Sequence, residues 1–242
     1  MNQKSDKDHP ADGRKITLTA RDGHSFEAWE VGSRDAPHSV VVVQEIFGLT
    51  DHILTVCAEL AAKGYHVLAP ALFDRVKPHA VLAYNETGLK EGLDLRSRIY
   101  PESLQEDIAA CAEELRKGNP HRVVGIIGFC WGGLIAWLAA VRHHNFDAAV
   151  GWYGGGIANH CDTAPHCPVQ LHFGGEDESI PHSDVQAIRQ RRPEIEVFVY
   201  DDAGHGFGCP QRPSFNQDAR DLAWSRSLDF LKEHLSHKAT SS

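Results

Sequence analysis

Residues 128–133, which read GFCWGG, join an apolar run to an alanine-rich run, and this junction decides the fold. Residues 122–127 have the β-branched composition of a buried strand, and residues 132–144 have the small apolar residues of a packed helix. A strand that turns at once into a helix, with glycines two residues before and after Cys130, is typical of a nucleophile elbow. We predict that this turn presents the Cys130 thiol at a helix N-terminus, which favours the thiolate. The alternative is a buried core cysteine.

Strand and helix patterns alternate on both sides of this junction. Further strands are predicted over residues 39–44, 65–69, 148–153, 169–173 and 195–200, and further helices over residues 51–63, 102–117, 184–191 and 215–235. An antiparallel pair, residues 15–20 with 26–31, is predicted around the Asp22-Gly23 turn. This order predicts an α/β fold with a mostly parallel central sheet and helices on both faces.

Length and composition fit a single domain. The chain has 242 residues, of which 42% are hydrophobic and 24% charged. We predict a flexible N-terminus over residues 1–14, one domain over 15–237 and a flexible C-terminus over 238–242. The six cysteines, in a chain without a disulfide-rich pattern, are expected to be free thiols.

Charge and hydropathy exclude several kinds of partner. The net charge of -9 argues against a nucleic-acid surface, which needs clustered Lys and Arg. No run approaches the ~18 apolar residues of a membrane span, and residues 1–14 lack the apolar segment of a secretory signal. We expect a cytoplasmic protein, monomeric or dimeric, that binds neither nucleic acid nor membrane.

A cysteine nucleophile needs a base and a carboxylate that orients it. In a fold of this kind the acid comes after the nucleophile along the chain and the histidine comes after the acid, each on a loop that follows a later strand. His205 lies in such a loop, after the strand predicted over 195–200; the alternative is a surface histidine. Spacing leaves the acid open among five residues of these loops: Glu176, Asp177, Glu178, Asp201 and Asp202.

The motifs resemble those of the dienelactone hydrolases, or carboxymethylenebutenolidases, over residues 16–235. The resemblance rests on QEIFG at 44–48, on the Cys130 elbow, on the G-x-x-D-x-x-I-P pattern that ends at Pro181, and on AGHGF at 203–207. A cysteine at the elbow is the most specific of these features, because most α/β-hydrolases use serine. The resemblance implies an α/β-hydrolase fold, hydrolysis of an ester or lactone through a cysteine acyl-enzyme, no cofactor, and Asp177 as the acid.

The resemblance also implies a role for Glu45. In the family the matching glutamate lies by the thiol and takes part in activating it when substrate arrives. The loop that carries Glu45 follows a strand at the position that donates one oxyanion-hole N–H, so the backbone N–H groups of Ile46 and Trp131 are the expected pair. The alternative for Glu45 is a buried, salt-bridged glutamate.

The sequence departs from the family at the substrate-binding arginines. Family members present arginines to a substrate carboxylate, one of them four residues after the catalytic histidine, where this chain has Cys209. The residues considered for substrate binding are Cys209, Arg75 and Arg212, with Arg96 and Arg98 as further candidates. A second thiol near the cleft also leaves open a non-catalytic or redox-sensing binding protein, in which Cys209 bonds to Cys130; the alternative is an inert loop cysteine.

One loop offers possible metal ligands. They are His160, Cys161, Asp162, His166 and Cys167. The loop lacks a short Cys-x-x-Cys knuckle, and adjacent residues rarely share one ion. We therefore predict a solvated loop and no metal.

Overall fold

The computed structural model describes residues 13–236, and eight of its segments form one sheet. The strands are β1 (Arg14–Thr19), β2 (Ser25–Val31), β3 (His38–Val43), β4 (Tyr65–Pro70), β5 (Val123–Phe129), β6 (Ala148–Trp152), β7 (Val169–Gly174) and β8 (Glu196–Tyr200). Their spatial order is β1-β2-β4-β3-β5-β6-β7-β8. The first two strands run antiparallel, and β2 also joins β4 antiparallel, whereas all pairs from β4 to β8 are parallel. The carboxyl ends of six strands therefore meet at one edge.

Six helices accompany the sheet. They are α1 (Asp51–Ala62), α2 (Glu86–Ser97), α3 (Pro101–Leu115), α4 (Trp131–Arg142), α5 (His182–Arg191) and α6 (Gln217–Ser236), with 3-10 turns at Leu72–Arg75 and Ile157–His160. Strand β5 shows that they cover both faces, because successive residues of a strand point to opposite sides. A Cβ at Gly125 would meet Leu231 of α6, and a Cβ at Gly128 would meet the backbone of α4. The predicted α/β fold is confirmed.

Every predicted strand and helix is present, with bounds within two residues of those expected. The sequence analysis missed α2 and the two 3-10 turns. Helix α2 lacks an apolar stripe toward the core, since its buried residues are Gly88, Gly92 and Leu95. Arg14, assigned to the flexible N-terminus, begins β1. The rest of the flexible termini, apart from Gly13, lies outside the described residues. No helix among residues 13–236 is long and apolar enough to cross a membrane.

Candidate active site

Cys130 occupies a strained turn at the end of β5. Its backbone has φ 55° and ψ -117°, a conformation that costs a non-glycine residue about 1–3 kcal/mol. Its N–H donates to the carbonyl of Trp152 at 2.9 Å, which ties the turn to β6. A Cβ at Gly128 would overlap the carbonyl oxygen of Gly132, and a Cβ at Gly132 would overlap that of Val43. Gly128 and Gly132 of the GFCWGG motif are therefore required for the turn.

Two loops bring an imidazole and a carboxylate to the thiol. His205, in the loop after β8, has Nε2 3.1 Å from the Cys130 Sγ and Nδ1 2.7 Å from the Asp177 Oδ2. Asp177 follows β7, and its Oδ1 accepts hydrogen bonds from the Ser179 hydroxyl at 2.6 Å and the Ser179 N–H at 2.9 Å. A chain of contacts thus runs from sulfur through imidazole to a fixed carboxylate.

Of the five acidic residues that spacing left open, Asp177 is the one that the structure buries. Asp177 is buried and hydrogen-bonded to His205, whereas the other four candidates are exposed: Glu176, Glu178, Asp201 and Asp202. Ser179 was missed by the sequence analysis. An aspartate followed two residues later by serine is typical of a turn in which the carboxylate accepts from that residue, and this signal could have found it.

Electrostatics fix the charge state of the imidazole. Burial disfavours the imidazolium, but the hydrogen bonds to Asp177 and Cys130 outweigh it and raise the pKa of His205 to about 10. Burial would raise the pKa of Asp177, and its hydrogen bonds to His205 and Ser179 instead hold that pKa below its usual value. At neutral pH His205 is therefore an imidazolium, with its Nδ1–H directed at Asp177 and its Nε2–H at the Cys130 sulfur.

Glu45 lies fully buried beneath the site. Its Oε2 accepts a hydrogen bond from the Tyr84 hydroxyl at 2.8 Å, and its Oε1 lies 3.5 Å from the Arg212 Nη1. The Thr50 hydroxyl, 2.8 Å from the Tyr84 oxygen, must then be the donor of that pair. Burial raises the pKa of Glu45, and the positive charge of Arg212 opposes the rise. No pattern in the sequence indicated that Tyr84 and Thr50 would contact Glu45.

The predicted oxyanion-hole residues lie on either side of Cys130. Ile46 follows β3 by three residues, and Trp131 is the first residue of α4, so its N–H has no acceptor within the helix. Both line a cleft of about 640 Å³ that also reaches Cys130 and His205. The remaining cleft residues are four with apolar side chains, two glycines and six that are polar or charged: Phe47, Leu89, Leu93, Leu134, Gly155, Gly156, Arg96, Asn159, His160, Glu178, Ser179 and Arg212.

The structure separates the candidate arginines. Arg212 and Arg96 line the cleft, each with its guanidinium over an aromatic ring that also lines it. Arg75, expected to bind substrate, is not among the cleft residues: it makes a bidentate ion pair with the buried Asp107, at 2.7 and 2.8 Å. Arg98 is exposed at the end of α2. The expectation that Arg75 binds substrate is corrected, because its guanidinium is already paired with the Asp107 carboxylate.

Cys209 is buried and is not among the cleft residues. Its sulfur lies 3.5 Å from the Gln211 Oε1. Burial and the nearby Glu45 carboxylate raise the pKa of the Cys209 thiol to about 11. The thiol at the position of the family's arginine is therefore protonated at neutral pH and lies behind the cleft wall.

One group of possible metal ligands lies beside the site. Atoms of Glu45, His52 and Cys209 lie within 4.8 Å of one another. The Arg212 guanidinium beside Glu45 and the protonated Cys209 thiol both disfavour a cation there. Among the residues that the structure describes, the loop at 160–167 forms no such group; within it, the buried Cys161 thiol donates to the Ile157 carbonyl at 3.2 Å.

Comparisons with known proteins identify the family of this chain. The model of the dienelactone hydrolase family matches residues 26–235. An Escherichia coli (strain K12) protein named "putative carboxymethylenebutenolidase" is 35% identical over 81% of this chain and 76% of its own length. The Pseudomonas putida carboxymethylenebutenolidase is 31% identical over 89% of this chain and 94% of its own. The crystal structure of a "putative dienelactone hydrolase" from Klebsiella pneumoniae is 29% identical, with a TM-score of 0.80 over 91% of this chain and 98% of its own. This chain belongs to the dienelactone hydrolase family.

Proposed function

We propose that the protein hydrolyses an ester or lactone through a cysteine acyl-enzyme. The observation that carries the proposal is the contact between the Cys130 Sγ and the His205 Nε2 at 3.1 Å, in line with the Asp177 carboxylate. A nucleophile, a base and an orienting acid within hydrogen-bond reach are the requirements of covalent acyl transfer. Family membership supports the same reaction class.

The first half of the reaction forms a thioester. The Cys130 sulfur attacks the substrate carbonyl, and its proton resides on the His205 Nε2. The N–H groups of Ile46 and Trp131 stabilise the negative oxygen that develops. When the carbon–oxygen bond of the ester breaks, the Nε2 proton passes to the departing alcohol oxygen, which in a lactone stays attached to the acyl group.

The second half of the reaction hydrolyses the thioester and regenerates the free enzyme. A water gives a proton to the His205 Nε2 and attacks the thioester, and the carbon–sulfur bond breaks to release the acid. Throughout, Asp177 accepts from Nδ1–H and stabilises the imidazolium. The sequence predicts neither a cofactor nor a metal for these steps.

Glu45, Arg212 and Arg96 are assigned to substrate handling. Family members direct arginines at a substrate carboxylate, and the two arginines that line this cleft are Arg96 and Arg212. Because Arg212 also pairs with Glu45, a substrate carboxylate would compete for the same guanidinium and change the charge around Glu45. The substrate is accordingly proposed to carry an acidic group. Cytoplasmic location and a monomeric or dimeric state stay predictions from the sequence.

Replacement of the nucleophile tests the proposal. Cys130→Ala should lower hydrolysis of p-nitrophenyl acetate by at least about 10³-fold, because no other group can form the acyl-enzyme. The fold should persist, since glycines 128 and 132 accommodate the turn. Circular dichroism checks the fold, and trapping the acetylated Cys130 peptide at low pH checks the intermediate.

Thiol labelling tests whether the Cys130 thiol is reactive. Burial raises the pKa of the Cys57 and Cys111 thiols, so iodoacetamide should label Cys130 first. Labelling of Cys130 no faster than of Cys57 would show that the thiol is not activated. A folded Cys130→Ala protein with wild-type turnover would reject the cysteine mechanism itself.

A further inference from the structure

Helix α2 presents two exposed leucines to the cleft. Leu89 and Leu93 are four residues apart and so lie on one face of the helix. They are 42% and 49% exposed, yet both line the cleft that contains Cys130. Apolar side chains scattered singly over a surface need no explanation, but exposed leucines grouped in a cleft are typical of a binding groove.

These leucines are not what holds α2 in place. The helix packs through Leu95, which is 3% exposed, and through Gly92, where a Cβ would overlap the carbonyl oxygen of Ile46. A Cβ at Gly88 would overlap the carbonyl oxygen of Ala83, in the segment that leads into the helix. Leu89 and Leu93 line the cleft and stay largely exposed.

The contact at Gly92 also fixes where the leucines lie relative to the chemistry. Ile46 carries one of the proposed oxyanion N–H groups, and its own carbonyl touches α2. The leucines and the proposed oxyanion-hole residues, Ile46 and Trp131, therefore line the same cleft. Leu134, on the first turn of α4 after Cys130, also lines the cleft, and the three leucines together are called the apolar wall.

The cleft is large for a short acyl group. Its volume of about 640 Å³ lies in the range of pockets that enclose drug-sized ligands, about 300–1,000 Å³. An arginine follows the two leucines along α2: Arg96 lies three residues after Leu93 and also lines the cleft. The wall thus suits an apolar body, and the arginine beyond it suits an acidic end.

We propose that Leu89, Leu93 and Leu134 form an apolar subsite, and that the substrate is an ester or lactone with an alkyl or aryl group of about six carbons beside the scissile carbonyl. The inference rests on the hydrolase function proposed above and adds the class of substrate. Each methylene buried against such a wall should raise kcat/KM about two- to fourfold.

Two ester series test the subsite. One lengthens the acyl group, from p-nitrophenyl acetate to butanoate and hexanoate; the other lengthens the alcohol, from methyl to hexyl acetate, followed by acid release. In the wild-type protein, kcat/KM should rise along at least one series by about tenfold or more. Leu93→Ser should reduce the hexyl-to-methyl or hexanoate-to-acetate ratio of kcat/KM about tenfold.

Leu222→Ser is the matched control. Leu222 is 48% exposed, nearly the same as Leu93, but lies on α6 and is not among the cleft residues. The hexyl-to-methyl and hexanoate-to-acetate ratios of kcat/KM in Leu222→Ser should equal those of the wild type. Leu93→Met, which keeps the apolar volume, should restore the ratio, and thermal melting of all variants checks that each is folded.

Equal ratios in the wild-type and Leu93→Ser proteins, in both series, would overturn the subsite while leaving hydrolysis of acetate intact. The same would follow if Leu93→Ser altered the mass in light scattering but not the ratio, because the leucines would then serve an interface between copies. Failure of the hydrolase function has a different signature: p-nitrophenyl acetate would be untouched, or would be cleaved equally by Cys130→Ala.

Discussion

The two sides of the cleft are built in different ways. On the strand side, Cys130, Asp177 and His205 follow β5, β7 and β8 and are joined by contacts of 2.7 and 3.1 Å. On the helix side, Leu89 and Leu93 stand half exposed on α2, and Leu134 lies on α4. The loops after the strands carry the proposed catalytic groups, whereas the side chains of the proposed apolar wall lie on two helices. Changes on the strand side should therefore affect turnover of every ester, and changes on the helix side should affect the choice among esters.

Loss of the base should have the largest effect. His205→Ala removes the group that accepts and returns every proton, so kcat should fall at least about 10⁴-fold for all esters alike. Stopped-flow measurement of p-nitrophenol release gives the rate. If His205→Ala lost activity on long esters only, the division between the two sides would be wrong.

The acid should matter less. Asp177→Asn leaves the imidazole in place but removes the negative charge that accepts from Nδ1–H, so kcat should fall about 10³- to 10⁴-fold. Asp202→Asn is the matched control, because Asp202 is exposed in the loop after β8. It should keep wild-type activity. A dead Asp202→Asn beside an active Asp177→Asn would assign the acid to the other loop.

The strand side was predictable because its signals are local. Strand, glycine, cysteine, glycine and helix occur within one short stretch, and the order of acid and histidine follows from the order of the strands. The resemblance to a family then selected Asp177, and the structure places that residue, among five acidic candidates, against His205. No local pattern distinguished it, since burial depends on how the loops pack.

The helix side was not predictable for the same reason. Two glycines in α2 weaken a helical pattern, and of its three leucines only Leu95 is buried in the core while Leu89 and Leu93 line the cleft, so the segment shows no apolar stripe toward the core. Arg75 was misplaced because its partner, Asp107, lies 32 residues away in sequence. The sequence alone does not show whether a charged side chain forms an ion pair with a residue far away along the chain.

Arg212 should have an intermediate effect that depends on substrate charge. Arg212→Gln should raise KM about tenfold or more for a lactone that carries a carboxylate, because a charge-assisted hydrogen bond is lost. A neutral ester should be affected much less. Arg98→Gln, on an exposed arginine outside the cleft, is the control and should behave as the wild type. An equal loss for neutral and acidic substrates would instead assign Arg212 to holding Glu45.

Cys209 should have the smallest effect. Its thiol is buried and, with a pKa raised to about 11, protonated at neutral pH, so it attacks an oxidised Cys130 slowly. Mild peroxide should inactivate wild-type and Cys209→Ser proteins at rates within about twofold, and dithiothreitol should restore both equally, because a sulfenic acid is itself reducible. Peptide mapping under non-reducing conditions should find oxidised Cys130 and free Cys209. A Cys130–Cys209 disulfide in the wild type, with protection lost in Cys209→Ser, would instead make this thiol the resolving partner and give the protein a redox-controlled active site.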